Sequence, residues 1–222
     1  MNNKLKKIVL AIILINIISP IFAQSKSNIL IAYFTWAENT EIINRAKAIK
    51  DETNHIFSME GDSVDATSSA SVIPPGNVTK IAKIIQNKTG GDLFSIQVVD
   101  KYSCYWDECL NRASVEKARK ARPELINEVP NMSDYDIVFL GFPTWWYTIP
   151  MAVATFVEEN DLSNKTVIPF VTHGTSGVAR TIKDLKPLLP KSANIEKEIG
   201  IYRSQINQAQ SKVDTWLLDL GF

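Results

Sequence analysis

Three short segments carry the side chains best suited to chemistry, and their residue types favour ligand binding over bond cleavage. The first is Gly76-Asn77-Val78-Thr79, where a glycine permits close backbone approach and Asn77 can cap a helix. Free N–H groups and the dipole at a helix start favour an anion such as phosphate. An ordinary capped helix without a ligand explains the same residues, so both interpretations stay open at this point.

The second segment is an aromatic run that follows an apolar stretch. It contains Pro143, Thr144, Trp145, Trp146 and Tyr147. Three consecutive aromatic side chains are hard to bury together, so we expect an exposed cluster on which a flat ligand stacks. The alternative is a small apolar cluster beneath a loop.

The third segment is polar and rich in glycine, which suits a turn around the polar edge of a ring. Its candidate binding residues are Thr172, His173, Gly174, Ser176 and Gly177. No carboxylate or second histidine accompanies His173 in the sequence, which is more typical of a structural histidine than of a catalyst. The chain shows neither a metal-ligand spacing nor a nucleophile elbow, so we predict no metal and no catalytic residue.

The elements that must position these segments alternate between strands and helices. Apolar runs predict five strands, at 28–35, 94–99, 136–141, 166–171 and 195–201. Amphipathic or capped stretches predict helices at 78–88, 107–121, 151–159, 176–189 and 205–220. This alternation predicts an α/β fold, with a doubly wound five-stranded parallel sheet covered by helices on both faces.

Ligands of such sheets bind beyond the carboxyl ends of the strands, which is where the second and third segments fall. One loop for phosphate, one for aromatic stacking and one polar loop together fit a phosphorylated planar cofactor. That combination does not distinguish flavin mononucleotide (FMN) from another nucleotide. Residues 38–75 form a long insertion after the first strand, in which 41–51 can be a helix and 61–75 is predicted to be loop.

Composition narrows the class of protein. The chain has 222 residues, of which 45% are hydrophobic and 22% charged, which excludes a disordered or collagen-like chain. Its 24 basic and 24 acidic residues balance, so we expect no nucleic-acid partner. The length allows one large domain or two small ones.

The first residues are typical of an export signal. Three lysines, an apolar run and the small residue Ala23 precede a polar stretch, so we predict a signal peptide at 1–23 and a domain at 24–222. Its removal takes away three of the 24 basic residues and leaves 24 acidic ones, a net charge of −3. We expect a periplasmic or extracellular protein without stable membrane association. An uncleaved membrane anchor is the alternative.

Export makes Cys104 and Cys109 candidates for a disulfide, because the compartment can be oxidising. Their separation lacks the two-residue spacing of thioredoxin-like sites, which favours a structural or inert role.

Residues 28–220 resemble the flavodoxin-like family, in which flavin binds at the switch point of a sheet ordered 2-1-3-4-5. The most specific pieces are Leu140–Trp146, Pro169–Gly177, and Tyr105-Trp-Asp-Glu with Arg122-Pro123. They are similar to a bacterial flavodoxin subgroup with a double-tryptophan flavin loop. The resemblance implies bound FMN and electron transfer in steps of one or two electrons.

The resemblance also implies site residues. The family's phosphate loop, Ser/Thr-x-Thr-Gly-Asn-Thr, has two partial counterparts here, at 35–40 and 76–79, and Glu38 replaces its glycine. We therefore expect a split phosphate site, with Thr35 and Trp36 at the strand end and 76–79 at the helix start. The carboxylate of Glu38 would repel phosphate. In the second loop, Thr144, Trp145 and Trp146 match positions that contact the flavin ring, and 172–177 would border its edge.

Three functions fit these expectations. The first is an exported FMN-binding electron carrier or small oxidoreductase with an unknown redox partner. The second is an FMN-dependent quinone- or nitro-type reductase that acts on a small acceptor. The third is a binding module that kept the fold and lost the flavin, for which Glu38 and Val78 are the best support.

Overall fold

The computed structural model describes residues 28–58 and 71–222, with the backbone alone for 52–58. Within these residues the chain forms one parallel sheet whose strand order is β2-β1-β3-β4-β5, with a further short strand β6 paired to β4. The strands are β1 (Ile29–Tyr33), β2 (Asp92–Ser95), β3 (Ile137–Pro143), β4 (Thr166–His173), β5 (Asn194–Ile195) and β6 (Ile199–Tyr202). The predicted α/β class and the order 2-1-3-4-5 are confirmed. The predicted signal peptide at 1–23 lies outside the described residues.

Helices cover both faces of this sheet, because alternate residues of its buried strands are apolar on each side. The helices are α1 (Arg45–Ser58), α2 (Asn77–Thr89), α3 (Trp106–Arg119), α4 (Met151–Glu159), α5 (Thr181–Leu185) and α6 (Gln210–Asp219). Helices α2 and α6 pack together on the face that contains Ile31, and α3 and α4 cover the face that contains Leu30. The fold is therefore doubly wound.

The central strands and α4 match the sequence prediction closely, whereas the ends of the sheet differ. The predicted fifth strand is two short pieces, β5 and β6, which both pair with β4. The last helix begins at Gln210, after a 3₁₀ stretch at Arg203–Gln208. The helix predicted at 176–189 is only the five residues of α5, followed by a 3₁₀ turn that contains Pro187, because proline has no N–H to continue an α-helix.

Strand β2 was predicted at 94–99 but ends at Ser95. Beyond that residue, the backbone changes partners. Val98 N donates to the Asn39 side chain, and residues 97–99 pair antiparallel with the segment around Leu125. The inserted segment after β1 contains helix α1, which begins at Arg45 and not at residue 41. Part of the predicted loop at 61–75 lies outside the described residues.

Candidate functional site

The carboxyl ends of β1, β3 and β4 meet at one edge of the sheet. Phe34 N donates to Gly141 O at 2.8 Å, and Pro143 lies opposite Thr172 in the β3–β4 register. Thr144 N then donates to Thr172 O at 2.9 Å, which carries the pairing one residue beyond β3. The segments at 35–40, 143–148 and 172–177 therefore start from neighbouring positions on this edge.

Thr35 and Gly76 are in contact although the long insertion separates them in sequence. Gly76 has φ +78, and a Cβ added there would overlap the Thr35 hydroxyl oxygen and lie 3.0 Å from Ala37 Cβ. Only glycine combines this left-handed backbone with so close an approach. The structure thus joins the two parts of the predicted split site.

The Thr35 hydroxyl is fully buried and has no hydrogen-bond partner among the described residues. Beside it, helix α2 begins at Asn77, which is half-buried, followed by the buried Val78 and Thr79. The first N–H groups of a helix lack intrahelical acceptors. A buried hydroxyl and a helix start, held together by a glycine, form a cradle of donors at this point.

The Glu38 carboxylate is hydrogen-bonded to neighbouring hydroxyl groups. Its carboxylate accepts hydrogen bonds from Thr79 Oγ1 at 2.7 Å and Ser95 Oγ at 2.5 Å. Tyr33 OH also lies 3.4 and 3.3 Å from the two carboxylate oxygens. Burial, and next the Glu38 carboxylate, raise the pKa of Tyr33 to about 12. The proton of the Thr79 hydroxyl is therefore already donated to Glu38.

The loop between β1 and the insertion is fixed by buried polar bonds. Asn39 Nδ2 donates to Thr35 O at 2.9 Å and to Ile96 O at 3.0 Å, and its Oδ1 accepts from Val98 N at 2.8 Å. Trp36 is fully buried, and its Nε1 donates to Ser103 O at 2.9 Å. The indole of Trp36 is thus part of the core.

Residues 145–148 form a tight reversal that we call the aromatic turn. Trp145 N donates to Thr148 O and Thr148 N donates to Trp145 O, both at 2.9 Å. The two central residues, Trp146 and Tyr147, have φ +49 and +65. Positive φ at both central positions defines a type I′ turn, which glycine and asparagine normally occupy. Two aromatic residues are held there in a conformation that costs each of them of order 1–3 kcal/mol.

The three aromatic side chains of this turn have different surroundings. Trp145 is only 2% exposed and packs edge-on against Phe34 and Tyr102, with ring centroids 5.3 and 5.1 Å away. Trp146 Nε1 donates to Leu110 O on α3 at 2.9 Å, whereas Tyr147 is 38% exposed. The expected exposed cluster is therefore wrong for Trp145, because the rings beside it complete its burial. Tyr147 is the most exposed aromatic of the three.

Residues 172–177, which we call the polar segment, lie against the aromatic turn. Thr144 Oγ1 donates to Gly177 O at 3.1 Å, and Gly177, at φ +63, donates its N–H to the buried Gly174. His173 is half-buried, with Nδ1 2.8 Å from Gly174 O. The Ser176 hydroxyl oxygen is buried and without a hydrogen-bond partner in the described part of the chain.

Two features of the site had no clear signal in the sequence. The first is the set of three hydroxyl groups that contact Glu38, from Tyr33 and Ser95 at the ends of two strands and from Thr79 on a helix. These residues are distant in sequence and come together only in the folded chain. The Asn39 bonds replace β-ladder bonds after Ser95, which a strand pattern cannot show.

Cys104 and Cys109 are buried free thiols, so the possible disulfide is not formed in this structure. Burial raises the pKa of Cys109 well above its ordinary value, which disfavours a reactive thiolate. Among residues 28–58 and 71–222, no cluster of His, Cys, Asp or Glu side chains could hold a metal ion. In the same residues, no helix is long and apolar enough to cross a membrane.

Comparison with known proteins gives one family match. A family model described as Flavodoxin matches residues 64–218. The match begins after β1, so the segment that contains Thr35 lies outside it, although the resemblance seen in the sequence extended back to residue 28. Among curated proteins, none matches the chain significantly.

Solved structures with the same fold include three flavoproteins. A candidate flavoprotein from Bacteroides uniformis ATCC 8492 is 25% identical, with a TM-score of 0.60, over 85% of this chain and 96% of that one. One from Bacteroides eggerthii DSM 20697 is also 25% identical, with a TM-score of 0.55, over 84% and 97%. A flavoprotein from Lactobacillus acidophilus NCFM, solved in complex with FMN, is 14% identical, with a TM-score of 0.52, over 81% and 96%.

Proposed function

The chain belongs to the flavodoxin family, and we propose that it binds FMN at the carboxyl edge of its sheet and acts as a redox protein. The observation that carries the proposal is the buried Thr35 hydroxyl, which lies against Gly76 without a protein partner. Burying an unpaired hydroxyl costs roughly 1–3 kcal/mol, and a bound acceptor would remove that cost. The flavoprotein from Lactobacillus acidophilus, which shares the fold, was solved with FMN.

The phosphate would be held by the Thr35 hydroxyl and the first N–H groups of α2, from Asn77 onward. The bonds that Glu38 accepts from Thr79 and Ser95 hold its carboxylate in place, but its negative charge remains and opposes a nearby anion. The Thr35 hydroxyl and the N–H groups at the start of α2 fit a phosphate, with fewer hydroxyl donors than the family's phosphate loop supplies.

The flavin ring would lie between the aromatic turn and the polar segment. Tyr147 is 38% exposed, and the buried Trp145 Nε1 and Ser176 Oγ lack partners among the described residues. When bound, FMN supplies the electron transfer. The protein's residues hold the ring, limit its contact with water and tune its potential through stacking and hydrogen bonds.

A flavin titration tests this proposal. We expect absorbance bands near roughly 370 and 450 nm in the flavin-loaded protein and quenched flavin fluorescence on binding, with a dissociation constant of micromolar order or tighter. Absence of FMN binding at hundreds of micromolar would instead favour the third function, a module that has lost the flavin.

The role of the bound flavin is a separate question with its own test. An electron carrier should, once chemically reduced, pass electrons to a redox protein faster than to small quinones or nitroarenes. A reductase should show the reverse order and saturate with the small acceptor. The chain without residues 1–23 would have a net charge of only −3, which offers little long-range steering of a protein partner.

We also propose that the protein is exported through the segment 1–23. The support is the lysine-rich start and apolar run of the sequence. Intact-mass measurement on periplasmic or secreted material should show a chain that lacks these residues. Recovery of the intact chain in the membrane fraction would instead support the uncleaved anchor.

A further inference from the structure

A groove of about 390 Å³ lies beside the aromatic turn, between the end of α3, the start of α4 and α5. Its volume falls within the range of small-molecule sites, roughly 300–1,000 Å³. Met151, Pro187 and Leu188 line its accessible apolar part. Such a surface can receive the apolar body of a ligand.

The groove is also rich in positive charge. Four exposed cations line it, from Lys117, Lys120, Arg122 and Arg180, beside the single carboxylate of Asp184. We call this feature the basic groove. It stands out because the chain as a whole has equal numbers of basic and acidic residues.

Two of the four cations are already paired. Arg122 binds both carboxylate oxygens of Glu158 at 2.6 Å, and Arg180 Nη2 lies 3.0 Å from Asp184 Oδ1. Burial alone would raise the pKa of Asp184, but hydrogen bonds from Arg180 and Thr148 outweigh it and hold that pKa below its ordinary value. Asp184 is therefore ionised at neutral pH. The charges of Arg122 and Arg180 are each balanced by a carboxylate, from Glu158 and Asp184.

Neither lysine of the basic groove forms an ion pair with a described residue, although the charge of Lys117 also helps to lower the pKa of Asp184. Lys117 Nζ donates to a neutral acceptor, Trp146 O, at 2.7 Å. Within the described part of the chain, no carboxylate lies at ion-pair distance from Lys117 or Lys120. The groove thus has an excess of two positive charges next to an apolar surface, which favours a negatively charged ligand with an apolar body.

We propose that the basic groove binds a small organic acid, with its apolar body on Met151, Pro187 and Leu188 and its acid group facing Lys117 and Lys120. The basic groove adjoins the proposed flavin site, with which it shares Thr148 of the aromatic turn, and its lining residues are in place without a flavin. The two are joined, because Lys117 Nζ holds Trp146 O and Arg180 N donates to Tyr147 O at 3.0 Å. An occupant of the basic groove would therefore lie beside the aromatic turn.

Calorimetric titration of the full chain with 2-naphthoate and its neutral analogue 2-naphthamide tests the proposal. The two probes share a ring and differ in charge. We expect naphthoate to bind about tenfold more tightly than naphthamide, because the net positive charge of the groove attracts the acid group and not the neutral amide. Acetate, which has the charge without the ring, should bind more weakly than naphthoate by a similar factor.

Lys120→Gln removes one charge without breaking a side-chain bond and should weaken naphthoate binding about threefold to fivefold, with little effect on naphthamide. The matched control is Lys83→Gln, an exposed lysine on α2 across the sheet, which should change neither affinity by more than about twofold.

Equal affinity for the two ring probes, equal effects of the two substitutions, or no naphthoate binding at millimolar concentration would overturn the proposal. Acetate binding as tight as naphthoate would overturn its apolar part. None of these results depends on whether FMN binds.

Discussion

At the residue scale, the proposed phosphate site depends on the contact between Thr35 and Gly76. The sequence alone supported a split phosphate site, because a glycine before a helix start and a threonine after a strand each matched part of a family motif. It could not show that Glu38 is bonded to three hydroxyl groups, since Tyr33, Ser95 and Thr79 come together only in the folded chain.

Gly76→Ala tests the close approach. The added Cβ meets the Thr35 hydroxyl at a positive φ, so we expect a loss of about 2 kcal/mol or more in unfolding free energy and weaker FMN binding. Gly90→Ala, at φ +72 in the αL conformation and with open space around it, is the control for a positive φ alone and should cost only about 1 kcal/mol. Urea denaturation and FMN titration measure both quantities. Equal effects of the two substitutions would refute the proposed contact.

Tyr33 predicts a pH dependence of stability. Its pKa is raised from 10.0 to about 12 in the folded chain, so the folded state holds the phenol proton more tightly than the unfolded state. This contribution is complete below pH 10 and is lost as the pH rises towards about 12. Denaturation midpoints should fall less steeply over this window in Tyr33→Phe than in the unmodified chain. Identical slopes would contradict the assignment.

At the element scale, the apolar strands and the helix at 151–159 could be predicted because burial on both faces and helical periodicity leave clear patterns. The aromatic turn could not, because Trp146 and Tyr147 are unfavourable residues for a type I′ turn. Their placement follows from tertiary contacts, namely the bond from Trp146 Nε1 to Leu110 O and the burial of Trp145. A costly backbone conformation beside the proposed flavin site supports the hypothesis that the side chains of this turn have a functional role.

Tyr147→Gly separates that role from stability. Glycine suits φ +65, so relief of backbone strain should offset much of the lost packing of the ring, and we expect the unfolding free energy to change by no more than about 1 kcal/mol. FMN affinity should fall about tenfold if the ring stacks on the flavin. Asn131→Gly, at φ +52 and away from the site, is the control for relief of backbone strain alone. An unchanged FMN affinity in Tyr147→Gly would remove this residue from the flavin site.

At the scale of the whole molecule, the sheet order could be predicted, and it brings the three sequence segments to one edge. The boundaries at the ends of the sheet could not, because β2 ends where Asn39 supplies a side-chain partner and β5 and β6 share β4. The family match starts at residue 64, whereas the buried Thr35 hydroxyl lies before it. The family match therefore does not test the role of Thr35. The central claim of the proposed function is that Thr35 completes a phosphate site for the flavin.

Thr35→Val tests this claim most directly, because it replaces an unpartnered buried hydroxyl by a methyl group of similar shape. Equilibrium titration of both chains with FMN and with riboflavin, which lacks the phosphate, is the measurement. We predict that FMN binds the unmodified chain more tightly than riboflavin does, and that Thr35→Val weakens FMN binding about tenfold while riboflavin binding and stability are preserved. Equal FMN affinity of the two chains, or no FMN binding to either, would contradict the claim.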